Sequence, residues 1–155
     1  MRRVFSIIIA SLLIISFFGN IYAEDLSGNK LSDDLYDYEV TPTDSEWASL
    51  EVAERWCISN IPIEYAETHS SRALLLSLLK CPFISNIYYF NTSNEGIEIF
   101  CGDFPAMAVF LNRDDAIEQL NNYKNSFELK NDSSCNKESR EYFEYIVVCD
   151  LIKYL

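Results

Sequence analysis

Two adjacent carboxylates beside an arginine, in the stretch NRDDAIEQL at residues 112–120, have the residue types for acid–base or metal chemistry. Either use would need a base or further ligands close by, and the neighbouring residues offer only Glu118 and amides. The apolar residues that follow have helical spacing, and Asn112 is a favourable N-cap for that helix. Asp114 and Asp115 then fall in the first turn, where backbone N–H groups and the helix dipole favour negative charge. The position therefore predicts a helix cap rather than a catalytic or metal site.

His69 and Cys57 are the other residues whose chemistry could serve catalysis. His69, the single histidine of the chain, stands in a polar connection with no nucleophile beside it, which favours a solvated loop histidine over a general base. A pair formed with Cys57 would need a third group to orient it and a lowered thiol pKa, and the sequence shows neither. Cys57 falls on the apolar face of the first expected helix, so we expect a buried free thiol there.

Five cysteines are present, Cys57, Cys81, Cys101, Cys135 and Cys149, and the odd number leaves at least one thiol unpaired or intermolecular. No two of them have the close spacing of a C-x-x-C zinc or redox motif. A zinc site would have to gather scattered ligands. We therefore expect no metal ion, no cofactor and no catalytic residue.

The first 23 residues, MRRVFSIIIASLLIISFFGNIYA, combine a basic start, a continuous apolar run and a polar end. This pattern is typical of a secretory signal peptide, and the apolar run is shorter than the roughly 20 residues that a membrane-spanning helix needs. We predict cleavage after Ala23 and a secreted, extracellular protein without membrane contact; an uncleaved anchor is the alternative. Residues 24–43 are acidic and lack periodicity, which predicts a flexible leader before a single domain at residues 44–155.

The charge balance is strongly acidic. Twelve Lys and Arg stand against 24 Asp and Glu, for a net charge of −12, and removing Arg2 and Arg3 with the signal peptide leaves ten against 24, or −14. Binding to a phosphate backbone needs clustered Lys and Arg, whereas the basic residues here are scattered, so we expect no nucleic-acid partner. An acidic surface favours solubility and basic protein partners.

Helical spacing of the apolar residues predicts an all-α fold, and no Asn-Gly or Asp-Gly hairpin signal joins two apolar runs. The capping-box pair Thr43 and Glu46 predicts a first helix over residues 44–58. Ser70 or Ser71 can cap the next helix, RALLLSLLK, whose apolar residues cover most of its circumference and predict burial.

Three later segments also have the marks of helices. Thr92 and Glu95 form a second capping-box pair, Pro105 suits a first helical position, and SREYFEYIVVCDLIKYL is amphipathic. The stretch PFISNIYYFN, at residues 82–91, fits a strand or a helix by its own pattern. The whole sequence predicts an irregular bundle or short solenoid of about six to eight short helices.

A series of turn, cap and core residues runs from residue 61 to residue 123. An Ile-Pro turn leads to a Ser-[Ser/Thr]-x-x-Leu helix that ends in Pro, then to an aromatic segment, a Gly-hydrophobic pair and an Asn-Arg-x-Asp-Ala helix start. The residues are Ile61, Pro62, Ser70, Ser71, Leu74, Leu79, Pro82, Tyr88, Phe90, Gly96, Ile97, Phe104, Leu111, Asn112, Arg113, Asp115, Ala116, Leu120 and Tyr123. This series resembles an uncharacterised all-helical family of secreted proteins from Gram-positive bacteria. The resemblance implies a helix over the ambiguous residues 82–91, and it implies no activity.

Two cysteines depart from the pattern of that family, which has an aromatic residue at the position of Cys81 and a polar one at that of Cys101. A paired departure implies that the two residues meet across neighbouring helices, so we predict a Cys81–Cys101 disulfide that closes a loop of about 20 residues. A Cys135–Cys149 bridge is predicted if the loop before the final helix folds back, with Cys57 left as the free thiol.

These observations favour a secreted, monomeric helical domain without catalytic activity. Its role would be to bind an unknown protein partner or to serve a structural purpose. The alternative is an exported acidic inhibitor or immunity protein that covers a basic toxin or enzyme. An enzyme with a dispersed site ranks third, since it would need a cleft that gathers Cys57, His69 and a carboxylate.

Overall fold

The computed structural model describes residues 31–130 and 136–155, so the predicted signal peptide lies outside the described residues. Every regular element in the described ranges is helical, which confirms the all-α prediction. Two 3-10 helices span Trp47–Ser49 and Ile84–Tyr89. The α-helices of these ranges are α1 (Val52–Ile58), α2 (Ile63–Thr68), α3 (Ser71–Leu79), α4 (Ser93–Asp103), α5 (Pro105–Leu111), α6 (Ala116–Lys130) and α7 (Arg140–Tyr154).

Helix α3 lies at the centre of the core. Seven of its nine residues are buried, as expected for a segment whose apolar side chains point to every side. It packs against α5 and α6, and α5 places Ala106, Met107 and Phe110 in the same core. Full burial of a leucine contributes roughly 2 kcal/mol, so the four buried leucines of α3 make it the main apolar contributor.

The caps of several helices follow the sequence. The side chain of Ser70 accepts a hydrogen bond from the N–H of Ala73 at the start of α3, and the side chain of Thr92 accepts one from Glu95 at the start of α4. Pro105 occupies the beginning of α5, where its missing N–H costs nothing. These three predicted helix starts are confirmed.

The first α-helix begins later than the sequence predicted. Leu50 has extended backbone angles (φ −76°, ψ 143°), which separates the 3-10 helix before it from α1. A different capping box starts α1, because Glu51 N–H donates to the Glu54 carboxylate at 2.8 Å. The Thr43–Glu46 pair had the right spacing, but Asp44 closes a local turn instead, accepting from the N–H of Thr41 at 2.7 Å.

The ambiguous residues 82–91 contain a 3-10 helix rather than an α-helix, with Ile84 and Ile87 buried. Helix α4 packs closely on this element. The contact depends on Gly96, because a Cβ built there would lie 1.8 Å from the carbonyl oxygen of Ile87. Only glycine therefore fits at this position without a shift of the backbone.

Residues 32–38 lie against the helical domain, which differs from the flexible leader expected over residues 24–43. The Ser32 N–H donates to the Thr68 carbonyl at 3.1 Å, and the Ser32 carbonyl accepts from Ser70 N–H at 2.8 Å. Tyr38 is only 8% exposed and joins the core. The acidic composition and the lack of periodicity predicted a flexible segment, but a single buried ring, that of Tyr38, joins it to the core.

Ser77, fully buried in the middle of α3, holds this segment in place. The N–H of Tyr36 donates to Ser77 Oγ at 2.9 Å, and the Tyr38 hydroxyl donates to the Ser77 carbonyl at 3.1 Å. Ser77 Oγ itself donates to the Ala73 carbonyl at 2.7 Å. Burial raises the pKa of Tyr38 above its ordinary value, so its hydroxyl keeps the proton that it donates.

We expect Gly96→Ala to destabilise the fold by about 2 to 3 kcal/mol, because the new methyl group would displace the backbone of the neighbouring 3-10 helix. Gly102→Ala is the matched control on the same helix. A Cβ at Gly102 meets nothing within 4 Å, so alanine should stabilise α4 by up to about 1 kcal/mol. Urea unfolding measures both changes, and equal stability of the two variants would contradict the close approach.

A protein that starts at residue 44 should unfold more easily than one that starts at residue 31. The expected loss is about 3 kcal/mol, because the shorter chain lacks the buried ring of Tyr38 and two hydrogen bonds to Ser77. Thermal unfolding followed by circular dichroism measures the difference. Tyr38→Phe in the longer protein isolates the hydroxyl and should cost about 1 kcal/mol. Identical melting temperatures for the two lengths would show that the segment adds no stability.

Candidate functional site

Asn112 closes the helix before it rather than starting the one after it. Its backbone N–H and its side-chain Nδ2 both donate to the carbonyl of Ala108, at 3.1 and 2.8 Å, as a C-cap of α5. Helix α6 begins at Ala116, so Asp114 and Asp115 precede the first turn in which they were expected. The predicted N-cap at Asn112 is wrong because its amide satisfies a free carbonyl of α5, and apolar spacing does not reveal that competing use.

The charged residues of the turn converge on Ser71, at the start of α3. Arg113 Nη1 donates to Ser71 Oγ at 3.0 Å, and Ser71 Oγ donates to Asp115 Oδ1 at 2.5 Å. Arg113 Nη2 also donates to the carbonyl of Ala66 in α2. The Ser71–Arg113–Asp115 network therefore ties α2, α3 and the start of α6 together, while Asp114 is exposed.

The hydrogen bonds of this network stabilise the fold and do not form a catalytic site. Ser71 is only 5% exposed, and its hydroxyl already donates to a carboxylate and accepts from a guanidinium. A serine nucleophile would need a base on that hydroxyl and access for a substrate. Ser71, Arg113 and Asp115 all belong to the series of residues from 61 to 123 described above. In this structure these three members of the series connect helices to one another.

His69 and Cys57 have separate sets of neighbours. The His69 ring stacks on Tyr65, with centroids 3.6 Å apart, and its Nδ1 lies 2.9 Å from the Tyr65 carbonyl and 3.1 Å from Thr68 Oγ1. Cys57 lies in a shallow apolar depression with Leu50 as one of its neighbours. Cys57 carries a free thiol, but the thiol is exposed and not buried as expected. The reason is that α1 buries none of its residues completely.

Cys81 and Cys101 are free thiols in the structure, which differs from the disulfide predicted between them. Cys81 is buried, and its Sγ donates to the Ser59 carbonyl at 3.6 Å. Burial raises the pKa of Cys81 to about 11, and burial together with Glu98 raises the pKa of Cys101 to about 11. Both side chains are thus poor nucleophiles at neutral pH.

The second predicted bridge stays a prediction. Cys149 is half-buried on α7, and its expected partner, Cys135, lies outside the described residues.

The described ranges contain neither a candidate metal site nor a candidate membrane-spanning helix. No group of three or more His, Cys, Asp or Glu side chains in residues 31–130 and 136–155 is placed to hold a metal ion. The helices of the same ranges include none with the length and apolar character needed to cross a membrane.

The described residues also form a small cleft that the sequence did not predict. It lies between α1, the second 3-10 helix and α4, and its surface is mostly apolar. We call it the aromatic cleft and define it by Trp56, Asn86, Tyr89, Phe90, Gly96, Ile99, Phe100 and Asp103. The only available signal in the sequence was the spacing of four of these residues along α4, which helical core packing explains equally well.

Comparisons with models of known protein families, with curated proteins and with solved structures found no match for this chain.

Asp115→Asn should destabilise the protein by about 1 to 2 kcal/mol, because it removes the charge from a half-buried hydrogen bond to Ser71. Asparagine keeps the shape of the side chain, so the substitution isolates the charge. Asp114→Asn is the matched control and should change stability by less than about 0.5 kcal/mol, since Asp114 is exposed. Chemical unfolding of both variants measures the difference, and equal losses would mean that the helix dipole, not Ser71, sets the role of the pair.

Proposed function

We propose that this protein is a secreted, monomeric helical domain without catalytic activity, which binds a partner protein through the aromatic cleft. The observation that carries the proposal is the exposure of large apolar side chains at this cleft. Tyr89 is 77% exposed, and Phe90 and Ile99 are 39% and 38% exposed.

Contiguous exposed apolar surface costs solubility, and in soluble proteins it commonly marks the place where a partner binds. The residues that line the cleft come from three separate helical regions, which the fold brings together. Tyrosine and tryptophan are also the residues that contribute most to binding energy at protein interfaces. A partner that covers the cleft would remove this surface from water.

The roles of the polar residues support a domain without catalysis. The hydroxyl of Ser71 and the carboxylate of Asp115 bond to each other, and the guanidinium of Arg113 bonds to Ser71 and to a main-chain carbonyl. The imidazole of His69 contacts its own helix through Tyr65. These four side chains are thus engaged in contacts within the fold.

The strong negative charge favours a second candidate, an exported acidic inhibitor or immunity protein whose partner is a basic toxin or enzyme. A net charge of −12 speeds the approach of a basic protein and makes its binding sensitive to salt. This candidate uses the same surface and differs in what the partner does. Inhibition of the captured partner by the purified protein separates the two candidates.

The proposal predicts that the immobilised protein captures a partner from an extracellular extract of the producing organism. Tyr89→Ala should reduce capture at least about tenfold, since exposed interface tyrosines commonly contribute 1 to 2 kcal/mol or more. Quantitative mass spectrometry of the retained proteins measures the change.

Ile117→Ala is the matched control, because Ile117 is a large apolar residue, 43% exposed, on α6. It should leave capture unchanged. Absence of any retained protein, or equal loss with both variants, would contradict binding through the aromatic cleft.

A further inference from the structure

We propose that the aromatic cleft accepts a single cationic side chain, a lysine or arginine, from the partner protein; this inference rests on the proposed function. One wall of the cleft is a face of α4, where Gly96, Ile99, Phe100 and Asp103 follow the spacing i, i+3, i+4 and i+7. Asn86 and the rings of Trp56, Tyr89 and Phe90 form the rest of the boundary.

The size and lining of the cleft suit one side chain. Its volume is about 70 Å³, and four of its lining residues are aromatic. Asp103 is the only charged residue among the described residues that line it. Aromatic faces attract a cation through their quadrupole, and tryptophan does so most strongly. A carboxylate beside aromatic rings adds direct charge attraction, whereas an anionic group would be repelled.

Trp56 is held in a fixed position before any partner arrives. Its ring packs against Phe83 and Phe104, with centroid distances of 4.8 and 4.9 Å. Phe100 stacks on Phe104 at 4.4 Å from the other side of the same cluster. A cation that enters the cleft would therefore meet two rings, those of Trp56 and Phe100, that core packing already holds in place, which lowers the entropic cost of binding.

Arg55, the cation next to Trp56 in the sequence, is engaged away from the cleft. Arg55 precedes Trp56 on α1, but its guanidinium lies over the Trp47 ring at 5.6 Å from the centroid. Arg55 Nη2 also donates to the Ala48 carbonyl at 3.2 Å. The charge of Asp103 is therefore available to a cation from outside.

A lysine or arginine of a protein suits this place better than a small cation does. The apolar stem of such a side chain can contact Ile99 and Phe90, while its charged end approaches Asp103. The acidic surface of the whole molecule attracts a basic partner over longer distances.

The test uses the protein at residues 24–155, which keeps every described residue, labelled with ¹⁵N for NMR titration. One probe is a capped pentapeptide with a central lysine between glycines, and the other has norleucine in place of lysine. The chain has two tryptophans, and only Trp56 lines the cleft, so the indole N–H of Trp47 serves as an internal reference. The lysine peptide should shift the Trp56 signal and bind at least about fivefold more tightly than the norleucine peptide.

Asp103→Asn should weaken lysine binding about two- to fivefold and leave norleucine binding unchanged. Glu118→Gln, which removes an exposed charge on α6, should change neither. Unchanged melting temperatures establish that both variants fold. Equal affinity for the two peptides, no shift of the Trp56 signal, or equal effects of the two substitutions would overturn the inference.

The failure of this inference can be told apart from failure of the proposed function. If a captured partner binds the Asp103→Asn variant as tightly as it binds the original protein, the cleft does not recognise a cationic side chain. The proposed role in binding a partner then stands. If the lysine peptide binds selectively but no partner is captured, the cleft is a cation site and the proposed function is wrong.

Discussion

Seven of the nine residues of helix α3 are buried, so the buried polar side chains among them need hydrogen-bond partners within the protein. An unsatisfied buried group costs about 1 to 3 kcal/mol, a large part of the net stability of a domain of this size. Two serines meet this constraint. Ser71, at the start of the helix, is satisfied by the turn before α6 through Asp115, and Ser77, in its middle, by the extended segment through Tyr36. The apolar residues bury the helix, and these polar contacts determine which segments can cover it.

Arginines meet the same constraint at the ends of helices, where backbone carbonyls lack partners within the helix. Arg113 donates to the Ala66 carbonyl near the end of α2, and Arg140 donates to the Leu79 carbonyl at the end of α3. The negative end of the helix dipole favours a guanidinium at both places. Arg140 also pairs with Glu144 at 3.1 Å, so the same side chain serves a helix end and an acidic neighbour.

The sequence predicted the features that depend on neighbouring residues, namely the burial of α3, its Ser70 cap and the start of α5 at Pro105. It failed where a residue forms its main contact with a distant segment. Asp115 bonds to a side chain 44 residues away in the sequence, and Tyr36 bonds to one 41 residues away. Helical spacing and cap rules describe hydrogen bonds within a few residues, so they assign such groups to the nearest helix end. The prediction of a Cys81–Cys101 disulfide failed for a similar reason, since Cys81 is buried against the Ser59 carbonyl and not against Cys101.

The aromatic cleft depends on a constraint of the same kind. The absence of a side chain at Gly96 lets α4 lie against the carbonyl of Ile87, and this contact brings a face of α4 beside the exposed rings of the 3-10 helix. Trp56 completes the cleft from a third element, held by the rings of Phe83 and Phe104. Core contacts therefore position the α4 wall of the cleft and the ring of Trp56. Folding leaves aromatic faces of the cleft in water, and association with a partner can recover the free energy of burying them.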